Sequence, residues 1–161
     1  MPRLKRAPAP TTGGGSPQDA GQLFVHTMPG HYIRRVQQVA VRLFSEGVSG
    51  DITPVQFAAL SALADAPGQG QAALASAIGY DRATIGGVID RLETKGFVSR
   101  VADPGDRRSN ILNLTKAGAA ALETARPQVE AVQEKLLAPL SESERAQYRA
   151  MCRKILAANG G

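Results

Sequence analysis

The fold is indicated most clearly by residues 96–115, which read GFVSRVADPGDRRSNILNLT. The first residue, a glycine, is typical of the end of a helix, and two short runs of alternating apolar residues follow it, at 97–101 and 111–114. The segment between these runs contains Asp, Pro and Gly, which favour a turn. The stretch therefore predicts a β-hairpin whose tip carries Arg107 and Arg108.

Two helical patterns precede the hairpin and are joined by a short turn. The first covers about residues 71–78, and Gly79 with Tyr80 forms the turn. Asp81 is a favourable N-cap for the second helix, which ends at Lys95. Two helices connected in this way predict a helix–turn–helix, and a charged hairpin directly after it is the arrangement of a winged-helix DNA-binding domain.

Longer helical patterns flank this region on both sides. One runs from about residue 29 to 46, and a second begins after the capping residue Thr53 and ends near residue 66. After the hairpin, a long helix is predicted from about 116 to 137, and a capping box at Ser141 and Glu144 begins a last helix that ends near residue 159.

The predicted fold is therefore mainly α with a small β-hairpin. We expect a winged helix-turn-helix at about 53–115, between long dimerisation helices at about 29–46 and 116–159. Residues 1–20 are rich in Pro, Gly, Thr and Ser and are interpreted as a flexible basic tail, whereas residues 21–161 form one domain.

The terminal helices carry more apolar residues than a small winged-helix core requires. The surplus residues are Leu136, Leu137, Leu140, Tyr148, Met151, Ile155 and Leu156. We interpret them as part of a homodimer interface formed by the terminal helices, because surplus apolar surface at both ends of a chain favours association. The alternative is that these residues only close the core of a monomer.

The composition says less about the function than the motifs do. The net charge of the 161-residue chain is +5, which favours an anionic partner, but three of its 19 basic residues lie in the tail. The single cysteine, Cys152, and the two histidines, His26 and His31, predict neither a disulfide nor a metal site, and no cofactor is expected. The chain shows no membrane span, secretory signal or catalytic motif, so we expect a cytoplasmic protein that is not an enzyme.

The N-terminal half of the second helix of the helix–turn–helix is expected to face base edges in the major groove. The predicted contact residues in this half are Arg82, Ala83, Thr84 and Gly87. Arg82 can donate to guanine or to a phosphate, whereas Thr84 can use its hydroxyl on a phosphate or base and its methyl on thymine. Gly86 and Gly87 are unfavourable inside a helix, so either the backbone approaches DNA closely there or two helices pack closely.

The hairpin supplies a second set of predicted contacts. Arg108 is expected to enter the minor groove and Arg107 to contact a phosphate; the alternative is a solvated turn without a DNA contact. Asp106 would be repelled by DNA, so its expected role is local. Asp106, Asp90 and Arg100 are therefore predicted to orient the hairpin through a charged network.

Three polar residues around the shorter helix are candidates for phosphate contacts, namely Gln69, Gln71 and Ser76. Contacts of this kind fix the position of a protein on the duplex and usually outnumber base contacts. Each signal is weak by itself, because polar residues are common at helix ends.

Residues 74–115, which read LASAIGYDRATIGGVIDRLETKGFVSRVADPGDRRSNILNLT, resemble the MarR family of winged-helix regulators. The resemblance rests on four motifs in sequence, namely Asp-Arg-Leu-Glu in the recognition helix, Lys-Gly-Phe-Val at its end, Asp-x-Arg in the hairpin and the closing Leu-Thr. The flanking helices extend the resemblance over about 28–158. The family often has Thr-Arg where this chain has Gly86 and Gly87. The resemblance therefore does not determine which base the middle of the recognition helix contacts. The resemblance matches Arg108 to a wing-tip arginine and Asp90 to a carboxylate that can hold it.

The resemblance also implies how such a protein works. It implies a homodimer that binds double-stranded DNA at a pseudo-palindromic operator and represses nearby genes until a small ligand, often an aromatic acid, binds. The start of the first helix, PGHYIRRVQQ at 29–38, is similar to regulators of aromatic-acid catabolism, including nicotinate-pathway repressors.

A ligand site is predicted on the first helix. His31, Arg35 and Gln38 lie on one helical stripe and Arg34 is adjacent, and a carboxylate ligand favours an Arg fork with neutral donors. Phe57 is predicted to be a fifth ligand-binding residue. The alternative is that this Arg-rich stripe is solvated or lies at the dimer interface.

Two other functions are weighed against a ligand-responsive repressor. A thiol-based oxidant sensor normally has a reactive cysteine in the first helix, but Cys152 lies in the last helix of this chain. A winged-helix module that binds only proteins would not need the charged hairpin. Both alternatives are therefore less well supported by the sequence.

Overall fold

The computed structural model describes residues 24–105 and 109–160 of the chain. The predicted tail at 1–20 and the hairpin-tip residues Asp106, Arg107 and Arg108 lie outside the described residues. The chain divides into two units, residues 1–36 and 37–161.

The first unit is described from Phe24 onward. A 3-10 turn covers Phe24–Thr27, in which the Thr27 hydroxyl donates to the carbonyl of Phe24 (2.8 Å). Helix α1, Pro29–Gly47, begins in this unit. Ile33, Val36, Leu43 and Phe44 recur at the spacing of one helix face, which predicts a core stripe on α1, but the side chains of Ile33 and Val36 are 62% and 41% exposed.

The second unit contains the remaining elements. After α1 they are α2 (Pro54–Asp65), β1 (Gln69–Gly70), α3 (Gln71–Ala77), α4 (Arg82–Thr94), β2 (Val98–Ala102), β3 (Asn110–Leu114), α5 (Lys116–Leu137) and α6 (Glu142–Ala158). The predicted caps begin these helices. Thr53 and Gln56 form a reciprocal capping box, and the hydroxyl of Thr115 accepts the backbone N–H of Gly118 (3.0 Å).

The strands form an antiparallel sheet in the order β1-β3-β2. The register of the hairpin runs from Val98 opposite Leu114 to Ala102 opposite Asn110. The predicted mainly helical fold with its hairpin is confirmed, and β1 is an addition. In the sequence, residues 67–70 indicate only a break between helices, because a two-residue strand has no periodicity.

The core joins the helix–turn–helix to the hairpin and to α5. Its largest fully buried side chains are Leu60, Leu63, Leu74, Ile85, Ile89, Leu92, Leu112, Leu122 and Val88. Helix α6 has no buried residue, and Met151, Ile155 and Leu156 are each more than half exposed. The expected surplus of apolar surface is therefore present on the last helix.

The hairpin and α5 meet at a junction that depends on Gly118. The hydroxyl of Thr115 donates to the carbonyl of Gly96 (2.6 Å), and its backbone N–H donates to the carbonyl of Phe97 (3.0 Å). A β-carbon on Gly118 would overlap the carbonyl oxygen of Phe97 and lie 2.9 Å from Cδ1 of Leu114. Only glycine therefore allows α5 to begin this close to the hairpin.

We expect Gly118→Ala to lower the free energy of unfolding by about 1–3 kcal/mol, because the hairpin must move to admit the methyl group. Urea unfolding at a fixed protein concentration measures the change. The control is Gly87→Ala, where the new β-carbon would meet only the end of the Arg91 side chain at 3.9 Å. Equal stability of the two variants would contradict this account of Gly118.

Candidate nucleic-acid interface

The structure presents the N-terminal half of α4 to solvent. Gly79, with a φ of +69°, makes the turn after α3, and the N–H of Tyr80 donates to the carbonyl of Ala75 (2.9 Å). One face of α4 is buried, comprising Ile85, Val88, Ile89 and Leu92. Arg82, Ala83 and Thr84, in the first turn of the helix, are exposed. The residues predicted to meet base edges are thus those that the fold leaves uncovered.

Asp81 begins α4 with both carboxylate oxygens engaged. Oδ1 accepts the backbone N–H of Thr84 (2.8 Å), and Oδ2 accepts the Thr84 hydroxyl (2.6 Å). These hydrogen bonds lower the pKa of Asp81, the bond to the hydroxyl most strongly. The carboxylate is therefore ionised at neutral pH, and the proton of the Thr84 hydroxyl is committed to it.

The two glycines of α4 have different surroundings. A β-carbon on Gly86 would lie 3.2 Å from Nε2 of Gln71, whose amide donates to the carbonyl of Arg82 (3.2 Å). Gly86 is therefore explained by the close approach of the Gln71 side chain. A β-carbon on Gly87 would meet only the end of the Arg91 side chain (3.9 Å), so packing within the described residues does not require a glycine there.

The polar residues predicted to contact phosphates are also placed by the structure. The amide of Gln69 donates to the carbonyl of Ala62 (2.9 Å), and that of Gln71 links α3 to α4 as described above. Ser76 is exposed on α3. Gln69 and Gln71 thus each have a structural role, and the phosphate contacts of all three residues stay predictions.

An arginine fork connects the hairpin to α4. Arg100 on β2 donates from Nη2 to Oδ1 of Asp90 (2.5 Å) and from Nη1 to Oε2 of Glu93 (2.5 Å). The hydrogen bond that Arg100 donates to Asp90 is the main cause that raises the pKa of Arg100. Asp90 and Arg100 are named by sequence reasoning, whereas Glu93 is missed, although its i+3 spacing from Asp90 places both carboxylates on one helix face.

Asp103 organises the described base of the hairpin turn. Its Oδ1 accepts the N–H of Gly105 (2.8 Å), its Oδ2 accepts the hydroxyl of Ser109 (3.3 Å), and its own N–H donates to the carbonyl of Ser109 (3.0 Å). From the sequence, a local role is assigned to Asp106, and Asp103 is missed. The Asp-Pro-Gly sequence at 103–105 is a recognisable signal for a turn closed by an Asp side chain.

The first unit contains a small open cavity of about 320 Å³, lined by His26, His31, Tyr32 and Arg35. Nη2 of Arg34 lies 3.4 Å from Nδ1 of His31. Because a guanidinium only donates, Nδ1 accepts and its proton is absent. Partial burial, followed by the charge of Arg34, lowers the pKa of His31, which also favours the neutral ring.

The other two predicted ligand residues belong to the second unit. Gln38 is exposed on α1, and neither it nor Phe57 is among the residues that line the cavity. Phe57 is partly buried and contacts Phe44 edge to face, with ring centroids 6.4 Å apart. Core packing is therefore sufficient to explain Phe57.

Residues 24–105 and 109–160 contain no cluster of three or more His, Cys, Asp or Glu side chains placed to hold a metal ion. None of the helices in these ranges combines the length and hydrophobicity that crossing a lipid bilayer requires.

The buried face of α4, its exposed N-terminal half and the hairpin attached to it define a winged helix-turn-helix DNA-binding protein. The model of the MarR family matches residues 52–109. The HTH-type transcriptional repressor NicR of Pseudomonas putida is 33% identical over 147 residues, which are 91% of this chain and 93% of NicR. The chain belongs to the MarR family of transcriptional regulators.

Two solved structures extend the comparison. The PcaV transcriptional regulator of Streptomyces coelicolor, in complex with its natural ligand, is 33% identical with a TM-score of 0.81, covering 86% of this chain and 99% of PcaV. BpsR of Bordetella bronchiseptica, described with a mechanism for regulation of its DNA binding by 6-hydroxynicotinic acid, is 30% identical with a TM-score of 0.80, covering 84% and 97%.

We expect Arg100→Gln to lower the free energy of unfolding by about 1 kcal/mol, because Arg100 is only 27% exposed and bridges two carboxylates that repel each other without it. Urea unfolding at low salt and at 1 M NaCl measures the change, which shrinks at high salt through screening. The control Arg91→Gln removes a cation that forms no ion pair within the described residues. A loss no larger than that of the control would contradict the fork's contribution.

Proposed function

We propose that this protein is a homodimeric, sequence-specific repressor that leaves a pseudo-palindromic operator when a small aromatic carboxylate binds. The observation that carries the proposal is the exposed N-terminal half of α4 beside a hairpin held to the same helix by Arg100. This arrangement lets one helix and one hairpin meet adjacent grooves of a duplex as a unit. A DNA-binding role also places the protein with the chromosome, which agrees with the expected cytoplasmic location.

In the proposed complex, the recognition helix reads the major groove through Arg82, Ala83, Thr84 and Gly87. No packing contact among the described residues requires a glycine at Gly87, which supports a close approach of the helix backbone to DNA there. Arg107 and Arg108 are proposed to contact a phosphate and the minor groove, respectively, with Gln71 and Ser76 contacting further phosphates. Asp90 and Arg100, with Asp106, are proposed to orient the wing.

The dimer is supported by the uncovered apolar surface of α6. Met151, Ile155 and Leu156 are 56%, 56% and 57% exposed, and no residue of this helix is buried. A helix is stabilised mainly by burying one apolar face, and α6 fully buries none against residues 24–105 and 109–160. A second copy supplies the missing contact and sets two recognition helices about one turn of DNA apart.

The ligand site is proposed at the cavity of His31, Tyr32 and Arg35 in the first unit. Its volume of about 320 Å³ lies at the lower end for ligand sites, which suits a single aromatic ring. A neutral His31 with an unprotonated Nδ1 has a free Nε2–H to donate, Arg35 offers a guanidinium to a carboxylate, and Tyr32 offers an apolar ring. The regulation of BpsR by 6-hydroxynicotinic acid supports this class of ligand. Arg34, beside His31, is also a proposed ligand residue, whereas Gln38 and Phe57 stay predictions from the sequence.

The DNA proposal is tested by selecting bound genomic fragments and measuring the affinity of Arg108→Ala for the selected operator. We expect a loss of at least about fivefold, because the side chain of an inserted arginine contributes about 1–3 kcal/mol. Arg126→Ala, which removes an exposed charge from α5, is the control for net charge. Unchanged affinity and salt dependence of Arg108→Ala would remove the wing from the proposed interface.

The ligand proposal is tested by titrating the protein–operator complex with nicotinic, 6-hydroxynicotinic and benzoic acids. We expect at least one acid to release the DNA, and Arg35→Ala to raise the concentration for half-release by about tenfold or more, through loss of a charge-assisted hydrogen bond. Arg42→Ala is a matched control, since Arg42 lies on the same helix but pairs with Glu46 (3.0 Å). Release that is identical for both variants would exclude Arg35 from the site.

A further inference from the structure

We infer that Thr84 reads DNA through its methyl group alone and selects one thymine in each half-site, because Asp81 holds the hydroxyl. This inference rests on the proposed function, since it concerns the operator that α4 is proposed to bind. It narrows the role of Thr84, whose hydroxyl and methyl group are both available for contacts when the sequence alone is considered.

The geometry of the first turn of α4 determines what the Thr84 hydroxyl can do. Asp81 uses one carboxylate oxygen for the N–H of Thr84 (2.8 Å) and the other for its hydroxyl (2.6 Å). A threonine hydroxyl has one proton, and here that proton is donated to a charged acceptor. Hydrogen bonds to ionised groups are among the stronger ones in proteins, so a neutral acceptor on a base does not displace it readily.

This commitment excludes most hydrogen bonds between Thr84 and DNA. Phosphate oxygens, guanine N7 and O6, adenine N7 and thymine O4 only accept hydrogen bonds. A hydroxyl that has already donated its proton cannot donate to any of them. The remaining lone pairs can accept only from the amino groups of adenine or cytosine.

The methyl group of Thr84 is the part that stays available for a specific contact. Thr84 is exposed, and its β-branched side chain has few rotamers, of which the Asp81 bond selects one. The apolar group that distinguishes thymine in the major groove is its C5-methyl. Contact between the two methyl groups removes both from water, which favours thymine at that position.

The test uses the selected operator with each thymine of one half-site replaced singly by deoxyuridine, which lacks only the C5-methyl. We expect one position at which the wild-type protein loses about fourfold in affinity, the value for burying one methyl-sized group. Thr84→Val keeps a methyl group and should keep this loss. Thr84→Ser keeps the hydroxyl and should bind the thymine and deoxyuridine operators equally. Thermal unfolding of both variants confirms that each is folded.

Four outcomes of this experiment would overturn the inference. If the wild-type protein binds every deoxyuridine operator as tightly as the thymine operator, it contacts no thymine methyl group. If Thr84→Ser still binds one deoxyuridine operator more weakly, the contact is made by another residue such as Ala83. A Thr84→Val variant that loses preference for an adenine or cytosine shows that the hydroxyl accepts from a base. Failure to select any DNA fragment overturns the proposed function itself, and with it this inference, so the two failures are distinguishable.

Discussion

The burial of one face of α4 is the constraint on which the rest of the second unit depends. Ile85, Ile89 and Leu92 are fully buried, and this burial sets the rotation of the helix about its own axis. Because α-helical side chains at i, i+4 and i+7 share a face, burying this stripe turns Ala83 outward, and Arg82 and Thr84 in the first turn of the helix are also exposed. The surface available to DNA is therefore a consequence of core packing. The fork from Arg100 then ties the hairpin to the same helix.

Features with a strong local signal were predictable from the sequence. The caps at Thr53, Asp81 and Thr115, the turn at Gly79 and the hairpin all have residue patterns whose physical basis lies within a few positions. These local signals were enough to identify the helix–turn–helix and the following hairpin. They also located the exposed half of α4.

Features that depend on side-chain direction or on distant partners were not predictable. Strand β1 exists only because Gln69 and Gly70 pair with Leu112 and Ile111, more than forty residues later. The amide of Gln71 is turned toward the carbonyl of Arg82, which no periodicity reveals. Ile33 on α1 is likewise 62% exposed, although its apolar side chain and helical spacing favour burial. Asp106, Arg107 and Arg108 lie outside the described residues, so their roles are argued from sequence alone.

The ionised carboxylate of Asp81 has a consequence for the balance between binding strength and discrimination. The N-terminus of a helix ordinarily attracts phosphates through its unpaired N–H groups and its dipole. In α4 a carboxylate already occupies that end and presents a negative charge to any approaching duplex. The charge weakens attraction to every DNA sequence equally, so it lowers background binding across a genome. Such a uniform effect leaves the ratio of specific to non-specific affinity unchanged, but contacts that differ between sequences then make up a larger share of the total binding free energy.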